Sequence, residues 1–245
     1  MKVKYDLHIH SCLSPCGGED MTPNNIAGMA MLGGLSVIAL TDHNTSKNCP
    51  AFFEACRRLG IVPIPGMELT TAEDIHMVCL FPTLEAALEF DEFVDKNRMK
   101  IKNRPDIFGE QLIMNGDDEV IGKIEDLLIP ATDLDIITAA REVFSRGGAA
   151  YPAHIEKPSS SIIAMLGDIP PEAGFFAAEV KDREKIPELC QNYPILKNMI
   201  LVTDSDSHEL DGLVGEPCEL DISANSDSEE DIRRAVVAKL RGECR

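Results

Sequence analysis

The chain has no tryptophan, and aromatic residues make up only 5% of its 245 residues. Its core must therefore rest on Ile, Leu, Val, Ala and Met. A hydrophobic fraction of 44% suits one large α/β domain, or one domain carrying an insertion. No apolar run is long enough to span a bilayer. The longest, Ile26 to Leu40, is interrupted by Gly33 and Gly34. No signal-peptide profile is visible either, because MKVKYDL reaches charge and polarity too early for an h-region. These two absences point to a soluble cytoplasmic protein without a membrane partner. Among 8 cysteines there is no C-x-x-C pair, and a disulfide framework is not expected at this length. Cys56, Cys79 and Cys190 lie in apolar segments and read as buried thiols. Positive charge is also scarce. Lys and Arg number 23 against 42 Asp and Glu, a formal net charge of −19. Such a surface repels nucleic-acid backbone and anionic membrane alike, so long nucleic acid is not an expected partner. Small anionic substrates stay open, because bound metal ions reverse the local sign. Oligomeric state is not readable at this level.

What the chain does have is a rhythm of short apolar runs alternating with helical patterns. The runs Val3–Ile9, Ser36–Leu40, Ile61–Ile64, Ile75–Phe81, Gly148–Ala153, Phe175–Val180 and Met199–Val202 read as strands. The first helix has Thr22 as N-cap, Pro23 at its first position and Gly33 as its stop. The second places Phe52, Ala55, Cys56 and Leu59 on one face and ends at Gly60. A third, TLEAALEFDEFV, follows the fourth strand. A fourth helix is expected between Thr132 as N-cap and Gly147 as stop. The last opens on a capping box of Ser226 and Glu229, then buries Ile232, Ala235, Val236 and Leu240. Alternation of this kind implies a parallel sheet, and about seven strands favour a closed barrel over an open sheet. Residues from about 97 to 130 break the rhythm with polar stretches and read as an insertion.

The six histidines are His8, His10, His43, His76, His154 and His208. All but His76, which opens IHMVCLF, lie at the downstream end of an apolar run. In a parallel barrel those ends meet at one rim, where active sites form. His8 and His10 are two residues apart and so face the same side of an extended strand, and Asp206 and His208 repeat the spacing. Glu68 closes another strand-to-loop passage. Imidazoles and carboxylates gathered at one rim are what divalent transition metals bind.

At this point the sequence resembles the PHP superfamily (polymerase and histidinol phosphatase domain). The motifs that carry the likeness are DLHIHS, ALTDHN, GMEL, IHMVCL, YPAHIEKP and TDSDSH, in the family's order across nearly the whole chain. The resemblance implies a distorted seven-stranded (β/α)7 barrel with two or three divalent ions (Zn, Mn or Fe) at its rim. It implies that His8, His10 and Asp206 hold the first ion and that Glu68 bridges the first and second. His76 and His154 would complete the second, and His43 and His208 would serve a third. One departure stands out. Many members carry H-x-H-S-x-x-S-D-G, whereas this chain has Pro15 in place of the aspartate. Cys16, Glu19 and Asp20 are the candidate replacements, which leaves a thiolate-containing, a carboxylate-rebuilt and a lost third site all open. Cys12 and Cys16 also read as loop fillers or as a redox pair.

Clustered metals favour hydrolysis of phosphate esters. The expected reaction is a metal-dependent phosphatase acting on a small phosphorylated molecule, a nucleotide, sugar or amino-alcohol phosphate. The alternatives are a phosphodiesterase or exonuclease on short oligonucleotides, and a non-catalytic metal-binding regulatory module. Asp42 and His208 are candidate proton donors, with Asp42 also suited to orienting a histidine. Phosphate needs cationic donors. Lys157, Lys181 and Arg183 follow strands at the expected rim, and Arg98, Lys100, Lys102 and Arg104 lie in or beside the insertion, as parts of a lid; each of these cations also reads as a solvated surface charge. Glu179 ends a strand at the same rim, as a substrate or lysine contact or as a solvated carboxylate.

Overall fold

A computed structural model describes residues 1–213 and 217–243. Strand β1 (Lys2–Ile9) leads into α1 (Pro23–Leu32), β2 (Val37–Leu40), α2 (Cys49–Arg58), β3 (Val62–Thr70), β4 (His76–Leu80) and α3 (Leu84–Asn97). The polar segment then holds a short α4 (Pro105–Phe108) and a hairpin of β5 (Leu112–Met114) and β6 (Val120–Lys123). After it come α5 (Ile136–Ser145), β7 (Ala149–Pro152), α6 (Ile162–Leu166), β8 (Ala177–Glu179), α7 (Ile186–Asn192), β9 (Ile200–Val202), β10 (Cys218–Asp221) and α8 (Glu229–Leu240).

Six strands form a curled half-barrel sheet in the order β10-β1-β2-β3-β4-β7. β8 and β9 form a separate parallel pair. Hydrogen bonds join its ends to the sheet. The Ile155 N–H donates to Glu179 O beyond β7, and the His10 N–H donates to Ser207 O beyond β1, at 3.0 and 2.9 Å.

The strands do not all run one way, as a parallel barrel would require. β1, β2 and β3 are parallel neighbours, but β4 is antiparallel to both β3 and β7. The cause is the length of the link. A parallel neighbour needs a crossover of about a dozen residues. Only residues 71–75 separate β3 from β4. The sequence reading ended β3 at Ile64, whereas it continues, buried throughout, to Thr70. β10 was not expected. Its alternating C-E-L-D pattern buries Cys218 and Leu220 beside β1, antiparallel to it.

The reversal of β4 positions the site. Because β4 runs backwards, its first residue, His76, reaches the rim where β1, β2 and β7 end. The histidine that begins its strand thus joins those that close theirs.

Helices cover the sheet as their patterns predict, with shifts at the ends. Thr22 caps α1, its hydroxyl accepting from the Asn25 N–H. In α2, Phe52, Ala55 and Cys56 are buried, but Leu59 is 38% exposed beyond the last turn. Asp135, not Thr132, caps α5, accepting from the Ile137 and Thr138 N–H groups. The Thr132 hydroxyl is drawn instead to Thr70 O. Asp135→Ala is therefore expected to cost about 0.5–2 kcal/mol of stability, read from the midpoint of urea unfolding. Ser228, not Ser226, caps α8, two residues nearer the helix than the expected box. Its Ile232, Ala235, Val236 and Leu240 pack with Val3, Val37 and Ile64 of the sheet. Each large side chain so buried contributes on the order of 1.5–3 kcal/mol.

The hairpin segment lies against the first metal-motif loop. Leu112 and Met114 pack on Cys12 and Ala51, and Ile124 and Leu128 pack on Leu13. Its cations are engaged locally. Arg98 and Lys100 meet Asp95, Lys102 meets Asp126 and Arg104 meets Asp106. Neighbouring acids pair with these four cations, as the reading of them as solvated surface charges expects. Among the described residues no helix is long and apolar enough to cross a membrane.

Candidate metal centre

Glu68 lies inside β3 with 1% exposure, and its carboxylate is ringed by imidazoles. Oε1 lies 3.2 Å from His8 Nε2, 2.9 Å from His76 Nδ1 and 3.3 Å from His154 Nε2. Oε2 lies 3.2 Å from His10 Nε2 and 3.0 Å from His43 Nδ1. Asp206 approaches from the loop after β9. Its Oδ1 stands 3.6 Å from the Nε2 atoms of both His8 and His10, and 3.7 Å from His208 Nδ1. All six histidines therefore meet, brought from five separate stretches of chain.

The main chain is bent into place here. His154 and Asp206 hold φ at 29° and 48°, and Asn44, beside His43, holds 52°. Such conformations cost about 1–3 kcal/mol each in non-glycine residues, and they persist where surrounding structure over-determines them.

The donor set fits divalent metal. Among the described residues three groups have their ligand atoms mutually within 4.8 Å: His8 with His10 and Glu68, His43 with Glu68 and His76, and His10 with His43 and His208. His154 Nδ1 is buried without a hydrogen-bond partner, and His43 Nδ1, although 3.0 Å from Glu68 Oε2, is not aligned to hydrogen-bond it. The Nε2 atoms of His8 and His10 face each other at 3.1 Å. Five imidazole nitrogens around one carboxylate exceed what its lone pairs satisfy as hydrogen bonds, whereas shared cations use all of them.

The charges lean the same way. Burial raises Glu68, but His76, His8 and His43 outweigh it and hold the carboxyl well below the usual range. Burial lowers His8, yet Glu179 and Glu68 hold it well above the ordinary histidine value. Burial keeps His43 well below that value despite Glu68. Burial, with His10 alongside, lowers His208 to about 4.

A cavity of about 220 Å³ opens over this cluster. His43, Glu68, His76, His154, Asp206 and His208 line it, together with Lys157, Ser159 and Ser160. Lys157 Nζ donates to Asp206 Oδ2 at 2.5 Å. Lys181 is 3.4 Å from the same oxygen, half-exposed and off the cavity wall.

Several expected site residues lie elsewhere. Arg183 donates to Cys218 Sγ, away from the cavity, so it is corrected from phosphate contact to a structural position. Asp42 does not line the cavity. It sits behind His10, accepting from the Ser11 N–H and from the Ser11 and Ser14 hydroxyls, each at 2.7 Å. Cys16 and Asp20 are exposed and stand outside all three metal-ligating groups, so the structure rebuilds no third-site ligand from them. Cys12 is buried in the apolar contact with Ala51. Glu179 is neither solvated nor at the substrate. It is fully buried, with Oε2 2.7 Å from His8 Nδ1. The sequence reading missed Ser11, Ser14 and Asn48. Their only signal was polarity within motif loops, which many surface residues share.

A family model for the PHP domain matches residues 6–212, well over half of the chain. The chain belongs to the PHP domain family. Members of that family are metal-dependent hydrolases of phosphoester bonds. The chain is 38% identical over 74 residues to the error-prone DNA polymerase of Symbiobacterium thermophilum, covering 30% of this chain and 7% of the polymerase. It is 31% identical over 106 residues to the 5'-3' exoribonuclease of Haemophilus influenzae, covering 40% of this chain and 38% of that one. Its fold resembles the lesion-specific endonuclease EndoQ of Pyrococcus furiosus at a TM-score of 0.66 and 19% identity, covering 99% of this chain and 56% of that chain. The chain thus spans much less than two thirds of the curated relatives it matches. These relatives overturn the expectation that negative charge excludes long nucleic acid. Net charge is a sum over the whole surface. Binding at a cleft answers to the local field, whose sign bound cations reverse.

Proposed function

We propose that this PHP domain is a metal-dependent phosphodiesterase that cleaves nucleic-acid strands. The observation that carries this reading is Glu68, whose two oxygens serve two sets of imidazoles at the floor of a cleft with Lys157 at its mouth. The names of the exoribonuclease and endonuclease relatives support a diester over a monoester. We read residues 1–245 as one domain with an insertion at about 97–130, and β1–β4 with β7–β9 as the staves of the distorted seven-stranded barrel.

In this reading His8, His10 and Asp206 would hold one ion and His76 and His154 another, with Glu68 offered to both; His8 shares Oε1 with His76 and His154, so the two ion sets would not divide by oxygen. His43 and His208, beside His10, form a third, nitrogen-only group. Two or three ions of Zn, Mn or Fe supply a Lewis acid and an acidified water when bound. Asp206 keeps Oδ1 toward the histidines while Lys157 and Lys181 hold Oδ2. Lys157 donates to a non-bridging phosphoryl oxygen. His208, depressed to about 4, is neutral at pH 7 and suits a ligand better than a proton donor. Asp42 orients rather than donates.

The test is turnover by the metal-loaded protein on RNA and DNA oligonucleotides, single-stranded and duplex, beside small phosphomonoesters. Shortened strands support the nuclease reading. Release of inorganic phosphate from small esters, with oligonucleotides left intact, would replace it by a monoesterase, which the modest cavity favours. Lys157→Ala is expected to lower kcat/KM about 10–100-fold, the value of one charge-assisted hydrogen bond. Lys157→Arg should recover part of the loss.

A further inference from the structure

We propose that Asn48 is a positioning residue that ties the β5–β6 hairpin to His10 through an unbroken hydrogen-bonded chain, so that the inserted segment tunes the metal centre from behind. The inference rests on the metal-centre reading above.

Asn48 stands at the N-cap of α2, fully buried, yet its side chain makes no capping bond. An asparagine at that position ordinarily accepts from the first helical turn. Here the amide is turned to other partners. Its Oδ1 accepts from the Met114 N–H at 2.9 Å, and its Nδ2 donates to Leu112 O at 3.1 Å and to Ser11 Oγ at 3.0 Å. Ser11 Oγ donates in turn to Asp42 Oδ2 at 2.7 Å. Asp42 Oδ1 accepts from Ser14 Oγ at 2.7 Å, and Ser14 Oγ lies 3.1 Å from His10 Nδ1.

Counting protons gives this chain a direction. Asp42 is met by three donors, the Ser11 N–H and the Ser11 and Ser14 hydroxyls, and so acts as the acceptor, and each hydroxyl has one proton to give. Ser14 spends its proton on Asp42, so toward His10 it can only accept. His10 must then carry its proton on Nδ1, which leaves Nε2 as the open lone pair facing Glu68 and His8. Ser11 is bound by the same count: its proton goes to Asp42, so it accepts from Asn48. The Asn48 amide cannot flip, because Met114 supplies a donor and Leu112 an acceptor. Donation therefore runs inward from both ends to Asp42. The hairpin main chain fixes one end and the metal ligand is the other.

Zinc affinity, measured by competition with a chromophoric chelator, tests the link. Asn48→Asp keeps shape but cannot donate to Ser11. Ser14→Ala removes the last link with a smaller disturbance to folding. Each is expected to weaken zinc about 10-fold, within the range for partners that orient ligating histidines. The double variant should be no weaker than Ser14→Ala alone, because both cut one chain. Gln111→Glu is the matched control. It makes the same amide-to-acid change at a fully buried site of the same segment, where Gln111 bonds Ile124, Asp126 and Leu128 but not Ser11. It should lower the melting temperature and leave zinc affinity unchanged. Wild-type affinity in Asn48→Asp, losses that multiply in the double variant, or an equal loss in Gln111→Glu would overturn the proposal. The His10 ring can also be read without metal, by ¹⁵N shifts in mildly alkaline buffer. A proton on Nδ1 in the wild type supports the relay even if zinc does not bind and the metal reading fails. A ring with its proton on Nε2 and none on Nδ1 rejects it.

Discussion

Glu68→Gln is expected to reduce phosphoester hydrolysis by about 10³-fold or more, equivalent to about 4 kcal/mol of barrier. The change removes one oxygen and one charge from a position touched by five imidazole nitrogens. An amide offers a single acceptor, so it cannot serve both halves of the centre. Its NH2 would face the lone pairs that ligate. The main chain should be indifferent, because residue 68 pairs with Val78 in the β3–β4 ladder and its N–H donates to Thr41 O. The expected result is a folded protein that holds fewer ions per chain by elemental analysis and turns over no substrate. Full activity at unchanged metal content would remove Glu68 from the bridging role, and with it the observation on which the functional reading rests.

Much of this site was legible in the residues alone. The H-x-H of β1 needed only the two-residue period of a strand, and the other histidines needed only the ends of apolar runs. What sequence could not show is how far each strand continues and which way it runs. Taking β3 as ending at Ile64 hid both that Glu68 is inside a strand and that the next link is too short for a crossover. The reversed β4, which brings His76 to the rim, followed from that. Side chains that act through others were the least readable. Glu179 looked like a rim carboxylate because strand ends point to solvent as often as to a core, and only the reach of its side chain to His8 across the curled sheet buries it. Arg183 looked like a phosphate contact until β10, a strand with a weak pattern, supplied Cys218. The caps of α5 and α8 moved by a few residues because several polar residues competed, and tertiary contact decided. At α5, Thr70 O claims the Thr132 hydroxyl and leaves the cap to Asp135.

Chelation is expected to abolish turnover and to lower stability together. An ion present at a thousand times its Kd adds about 4.1 kcal/mol to folding. For a chain of this size that is a shift of about 8–16 °C in melting temperature for each such ion removed. Re-adding Mn²⁺, Fe²⁺ or Zn²⁺ should restore both, and the most effective ion would name the metal. The protonation of the metal-free site makes a sharper demand. His8 and His10 are raised above the ordinary histidine value, so protons on them must leave when metal binds. His43 and His208 are lowered, and are neutral already. Glu68 and Asp206 are held below the carboxylate range, and are ionised already. Uptake at neutral pH should therefore release on the order of one to two protons per chain. Affinity should strengthen as pH rises, until His8 and His10 have lost their protons in the metal-free state, and then level off. Calorimetry in buffers of different ionisation enthalpy measures the number directly. No release at neutral pH would place the metal away from His8 and His10, and a plain loss of affinity with rising pH would reverse the sign on which this account depends.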